Sequence, residues 1–154
     1  MSSRNAIARA FLPSPRSFDR YHYYYVRGKL ASDPLYPGVV AALRGCDAAL
    51  LDLGCGIGLL AHALRADGQA MRYEGVDFDA GKIDIANTAA HRAGLADTAF
   101  AACDLMRERP SHRGSVALLD VLQYLPGDVQ ERVLDDAIAM LEPGSRLVIR
   151  SGLH

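Results

Sequence analysis

The chain is poor in the residues that build covalent or metal frameworks. Three cysteines occur in 154 residues, Cys46, Cys55 and Cys103, and no two form a CxxC pair. That odd, scattered set argues against a disulfide scaffold or a cysteine zinc cluster, and a reducing cytoplasm is the expected location. The five histidines have no HExxH or comparable ligand spacing, so no metal is expected. Neither sign of charge dominates: the formal net charge is −1, and lysine and arginine are scattered without a basic block. Nothing in bulk charge draws the chain to nucleic acid or to an anionic membrane. No window approaches the roughly 18 uninterrupted apolar residues of a membrane span. Arginines interrupt the short apolar stretch at the start, which therefore does not read as a signal peptide.

What is present is an ordinary globular balance, half apolar and 23% charged, with room for one domain and its core. Residues 1–16, with Pro13, Pro15 and several serines, read as a flexible arm. Phe18 to Leu30 can form a helix carrying Tyr21, Tyr23, Tyr24 and Tyr25, broken at Ser32-Asp33-Pro34. A short helix from Pro37 through Gly38 to Leu43 follows, ended by Gly45. Residues 1–45 are thus expected to be an arm and a helical lid, and 46–154 the core.

In the core, strands and helices alternate. Apolar runs predict strands at Ala48 to Leu53, Arg72 to Asp77, Thr98 to Ala102, Ser115 to Val121 and Arg146 to Arg150. Helices are expected at Gly58 to Ala66, Gly81 to Ala93 and Asp128 to Leu141, the last with Val129, Val133, Ala137, Ile138 and Leu141 at helical spacing. Strands separated by helices imply right-handed crossovers and a parallel sheet covered on both faces, a three-layer α/β fold.

The strongest signal is Leu50-Leu51-Asp52-Leu53-Gly54-Cys55-Gly56-Ile57-Gly58, where the first strand hands over to the first helix. In open α/β sheets the ligand crevice lies beside such turns. A dinucleotide fingerprint G-x-G-x-x-G would need glycine where Leu59 stands. The chain instead shows D-x-G-x-G-x-G. An acid close to a helix N-terminus suits a ligand that presents an ammonium group and a carboxylate together, as an amino acid does.

LLDLGCGIG resembles motif I of the class I S-adenosylmethionine (SAM)-dependent methyltransferases, and the resemblance runs from about Ala48 to Arg150. It implies a doubly wound, mostly parallel Rossmann-like sheet of about five strands with N-terminal helices, and SAM as cofactor with S-adenosylhomocysteine as product. Asp52, Gly54, Cys55, Gly56 and Gly58 would form the cofactor turn. In Glu74-Gly75-Val76-Asp77-Phe78-Asp79 the resemblance places Asp77 on the ribose hydroxyls and Phe78 beside the adenine, with Asp79 the better helix cap. Asp104 would take the adenine amino group and Leu105 the ring. Val116 to Pro126 resembles motif IV and its continuation, with Asp120 near the methionine part and Gln123 and Tyr124 facing the acceptor. Many relatives carry a histidine about where Gln123 stands, so no catalytic base is assigned. Tyr25 and Lys29, four apart on one helix face, are cofactor-carboxylate candidates, and Tyr21 on the same face is an acceptor-side candidate in an aromatic lid, or all three simply pack the helix on the sheet.

The expected function is methyl transfer to a small-molecule acceptor. The alternatives are a SAM-binding module without catalysis and a nicotinamide-dependent oxidoreductase. The family's usual sheet continues beyond strand five into an antiparallel hairpin for which no sequence remains, so the expectation is a truncated chain or a natural minimal version, with truncation preferred. The apolar edge at Leu147 to Ile149 suggests a homodimer through that edge or through exchanged N-terminal segments.

Overall fold

The computed structural model describes residues 2–13 and 19–152. It is an α/β fold whose elements run α1 (Ser3–Ala10), α2 (Tyr21–Ser32), α3 (Leu35–Leu43), β1 (Leu50–Leu53), α4 (Leu59–Ala66), β2 (Tyr73–Asp77), α5 (Ala80–Ala93), β3 (Thr98–Ala102), β4 (Ser115–Leu119), α6 (Gly127–Met140) and β5 (Leu147–Arg150). The sheet order is β3-β2-β1-β4-β5, with every neighbouring pair parallel. The direction of winding reverses between β1 and β4, the switch point where such sheets open a crevice.

Strand alternation assigns the two faces. Leu50, Tyr73, Phe100 and Ala117 pack under α3, α4 and α5 with Val40, Leu60, Leu64, Ile83 and Ala86. Leu51, Leu53, Val76, Val116 and Leu118 pack against α6 through Val129, Val133, Ala137 and Met140. Burial on both faces explains why β1 and β4 read as continuous apolar runs rather than alternating ones.

The N-terminus departs from the expected flexible arm. Ser3–Ala10 is helical, and Ala8, Ala10 and Phe11 join Val26, Leu59 and Ala89 in a third cluster. Three small or aromatic apolar groups suffice to anchor a short helix once α2, α4 and α5 supply the other wall. Residue Phe18, placed at the start of the next helix, lies outside the described residues. The helix itself starts at Tyr21, whose N–H is accepted by Asp19 Oδ1 at 2.9 Å, and ends before Asp33-Pro34 as anticipated. The next helix begins two residues before Pro37, because Asp33 Oδ1 accepts the Leu35 N–H at 2.9 Å. Strand β4 stops at Leu119, short of Val121, because Asp120 adopts a left-handed φ of 57° and the chain enters a 3₁₀ turn at Leu122–Tyr124. Strand β5 forms the edge beside β4, with Ile149 44% exposed.

Candidate cofactor and acceptor site

Gly54 and Gly56 carry the chain off β1 with φ of +79° and +56°. A Cβ on Gly54 would meet Val121 Cγ2 at 2.8 Å, so the turn lies directly against the segment leaving β4. A Cβ on Gly56 would meet nothing within 4 Å. Gly58 differs. It is buried, at φ +83°, and its Cβ would lie 2.6 Å from the Phe100 ring. The third glycine of the motif is therefore where α4 approaches the sheet, and it lines neither lobe of the site.

The turn is fastened from below. Gly54 and Cys55 donate their N–H groups to Val76 O at 2.8 and 2.9 Å, and Gly58 donates to Cys55 O at 3.0 Å. Gly56 N–H donates to Asp77 Oδ2 at 2.9 Å, while Asp77 Oδ1 accepts the Asp79 N–H at 3.0 Å. Asp77 thus organises the turn as well as facing the crevice. Asp79 caps α5, its Oδ1 accepting the Lys82 N–H at 3.1 Å.

Around Gly54, Gly56 and Asp120 open two lobes. The larger, a cavity of about 700 Å³, is lined by Asp77, Phe78, Lys82, Cys103, Asp104, Leu105, Met106, Val121, Tyr124 and Leu125 in addition to those three. The smaller, about 170 Å³, lies between Tyr25, Lys29, Leu35 and Tyr36 on the helical side and Asp52, Cys55, Ile57, Leu59, Leu60 and Leu119 on the sheet side. Most of the sequence-predicted residues therefore converge. Tyr21, Gln123 and Gly58 do not line either lobe. Tyr21 stacks on Tyr25 with ring centroids 6.2 Å apart, and Gln123 Oε1 accepts the Ser151 hydroxyl at 3.3 Å.

Phe78 and Tyr124 stand 76% and 79% exposed at the larger lobe, where they offer flat aromatic surfaces. Asp104 is held by its local turn, Oδ1 accepting the Met106 N–H at 2.9 Å. Asp52 is nearly fully buried. Its Oδ2 accepts the Tyr73 hydroxyl at 2.6 Å, and its Oδ1 has no hydrogen-bond partner among the described residues. Burial pushes its pKa up to about 6, against the Tyr73 hydrogen bond, and nearby Asp77 adds to the rise. Burial also raises the Tyr36 hydroxyl and the Cys55 and Cys103 thiols, so these groups stay neutral.

Sequence reasoning missed Lys82, Met106, Tyr36 and an ion-pair cluster at the strand ends. Asp79 as helix cap would have put Lys82 in the first turn of α5, beside the crevice. Arg150 pairs in register with Leu119, the residue before Asp120, which becomes visible only once β4 and β5 are known to be neighbours. Among the described residues no group of acids, histidines and cysteines is disposed to hold a metal, and no helix is long and apolar enough to cross a membrane.

Residues 50–144, which carry the turn and most of the crevice, match the family described as Methyltransferase domain. The chain belongs to that family. Its fold is similar to the PH0226 protein from Pyrococcus horikoshii OT3, with a TM-score of 0.68 and 18% identity over 81% of this chain and 58% of that one. It is also similar to an S-adenosylmethionine-dependent methyltransferase from Clostridium acetobutylicum ATCC 824, with a TM-score of 0.66 and 17% identity over 82% of this chain and 55% of that one. PKMT2 from Rickettsia typhi, solved in complex with AdoHcy, gives a TM-score of 0.59 and 21% identity over 75% of this chain and 24% of that one. At these identities the likeness is one of fold, and this methyltransferase domain spans under two thirds of each of the three. No curated protein matches the chain.

Proposed function

We propose that this domain binds SAM across the two lobes and serves methyl transfer to a small-molecule acceptor. The observation that carries the reading is Asp52, a buried carboxylate with one unpartnered oxygen in the wall of the smaller lobe, a few residues from a glycine turn that opens into the larger one. A buried acceptor without a partner costs free energy, and an ammonium group would remove that cost. The donor set fits the group. Asp52 would hold the amino-acid end, with Tyr25 and Lys29 on the other wall. Asp77 keeps lone pairs for ribose hydroxyls after accepting two amides. Phe78, Leu105 and Asp104 would hold the base, the carboxylate accepting its exocyclic amine. That PKMT2, a neighbour in fold, was solved in complex with AdoHcy supports SAM as the cofactor.

When bound, SAM supplies a methyl group on a sulfonium whose departure needs no acid. The chain's own contribution is alignment and exclusion of water. Tyr124, Val121 and Leu125 offer an apolar wall for the acceptor. No histidine lines the larger lobe among the described residues, and Asp120 is committed to Arg150. A protein base is needed only for an acceptor that must lose a proton, and no residue is assigned that role.

Thermal melting with SAM, S-adenosylhomocysteine and NAD side by side tests the reading. SAM and S-adenosylhomocysteine should raise Tm and NAD should not. A shift with NAD alone would overturn it.

A further inference from the structure

The carboxyl ends of β4 and β5 meet the junction of α2 and α3 through one arginine. Arg150 Nε donates to both oxygens of Asp120, at 3.0 Å each, and Nη2 also pairs with Asp120. The same guanidinium donates through Nη1 to Asp33 Oδ1 at 2.7 Å and through Nη2 to Asp33 Oδ2 at 3.2 Å. Asp33 in turn pairs with Lys29 at 2.8 Å and accepts the Leu35 N–H, so it ends α2 and starts α3 at once. Asp120 is in the wall of both lobes and sits at a left-handed φ of 57°. Its N–H donates to Arg150 O at 2.8 Å. Two acids and two bases close the cluster electrically.

These contacts make a clamp with two jaws. One jaw is Asp120, which cannot swing into the lobes while a planar fork holds it. The other is Asp33, which fixes the end of the helix whose Tyr25 and Lys29 form the roof of the smaller lobe. Elsewhere α2 is held mainly by α1: Val26 is fully buried and Tyr23 and Leu30 are half-buried in the cluster with Ala8, Ala10 and Phe11, while Tyr21, Tyr24 and Tyr25 are exposed. We propose that Arg150 is a positioning residue that clamps the α2–α3 junction to the cavity wall, and so sets how often α2 lifts from the smaller lobe. Ligand escape from that lobe then requires the clamp to open. That consequence rests on the function proposed above; the clamp itself does not.

The test is hydrogen exchange in the ligand-free chain, read on the backbone amides of α2, with those of α6 as internal reference. Asp33→Asn breaks one jaw and leaves the Arg150–Asp120 pair intact, and Arg150→Met breaks both. Both variants should exchange faster by about tenfold in α2, the scale of one lost charge-assisted hydrogen bond, with α6 unchanged. The S-adenosylhomocysteine off-rate should rise by the same factor. Wild-type protection of α2 in both variants would overturn the clamp, as would equal acceleration in α6, which reports global loosening. Faster α2 exchange with an unchanged off-rate would overturn the positioning role and leave Arg150 structural. If wild type binds no S-adenosylhomocysteine, the proposed function fails while α2 exchange still decides the clamp.

Discussion

Tyr73 on β2 donates its hydroxyl to Asp52 on the neighbouring β1 across 2.6 Å, and among the described residues this is the one hydrogen bond that the buried carboxylate makes. Its pKa stands at about 6, well above the usual carboxylate range, chiefly through burial. A raised folded-state pKa means that protonation favours the fold. The contribution is fully present below the unfolded value near 4 and is lost as pH rises through about 6. Asp52→Asn removes that titration. Between pH 4 and pH 7.5 the variant should gain on wild type by on the order of 2–3 kcal/mol of unfolding free energy. Denaturant unfolding across that range checks it, and parallel pH curves for the two proteins would contradict it.

The motif glycines should separate by phenotype. Gly56→Val puts a β-branched side chain at φ +56° into open space, so the fold should survive at some cost while S-adenosylhomocysteine binding is lost. Gly58→Ala drives a methyl into the buried Phe100 ring and should cost about 1–3 kcal/mol of stability by overpacking, more with the backbone strain. Melting and calorimetry on both variants separate them. Retained binding in folded Gly56→Val would mean that the backbone there does not approach the ligand.

Much of this site was legible because it is local. An apolar run, three alternating glycines and an acid define a strand, a turn and a helix within a few residues, and the strand-end acids Asp77 and Asp104 follow the same logic. The parts not legible are those set by tertiary packing. Asp33, Asp120 and Arg150 are far apart in the chain: β4–β5 pairing brings Asp120 to Arg150, and the packing of α3 beside β5 brings Asp33 to the same guanidinium. The helix at Ser3–Ala10 hid among serines and prolines because its stabilisation comes from α2, α4 and α5. Gln123 and Tyr124 looked equivalent in sequence. The 3₁₀ turn after Asp120 sends Tyr124 to the larger lobe and Gln123 towards Ser151.

Asp77 has two duties, and two substitutions divide them. Asp77→Ala strands the Gly56 and Asp79 amides and should lose stability as well as affinity. Asp77→Asn keeps a carbonyl acceptor but no charge. Its NH2 replaces one accepting oxygen and strands one amide where Ala strands two, so its stability loss should be smaller than that of Asp77→Ala, while S-adenosylhomocysteine affinity falls by about 1.5–3 kcal/mol, the range for hydrogen bonds to a charged group. Calorimetry showing full affinity in folded Asp77→Asn would move the ribose contact to another residue.

Phe78 is 76% exposed and so contributes little to the core. Phe78→Ala should leave unfolding free energy within about 0.5 kcal/mol of wild type. It should weaken S-adenosylhomocysteine by about 0.5–1.5 kcal/mol through the lost stacking surface. Paired unfolding and binding measurements decide this, and unchanged affinity would show that the base does not stack there.

The most direct test of the central claim is amide-resolved NMR of the 154-residue chain titrated with S-adenosylhomocysteine. The account predicts saturable shifts centred on Gly54, Gly56, Asp77, Phe78 and Asp104 at one lobe and on Tyr25, Lys29 and Asp52 at the other, with the amides of α6 unmoved. A spectrum unchanged at saturating ligand, or shifts confined to residues outside the two lobes, would contradict it.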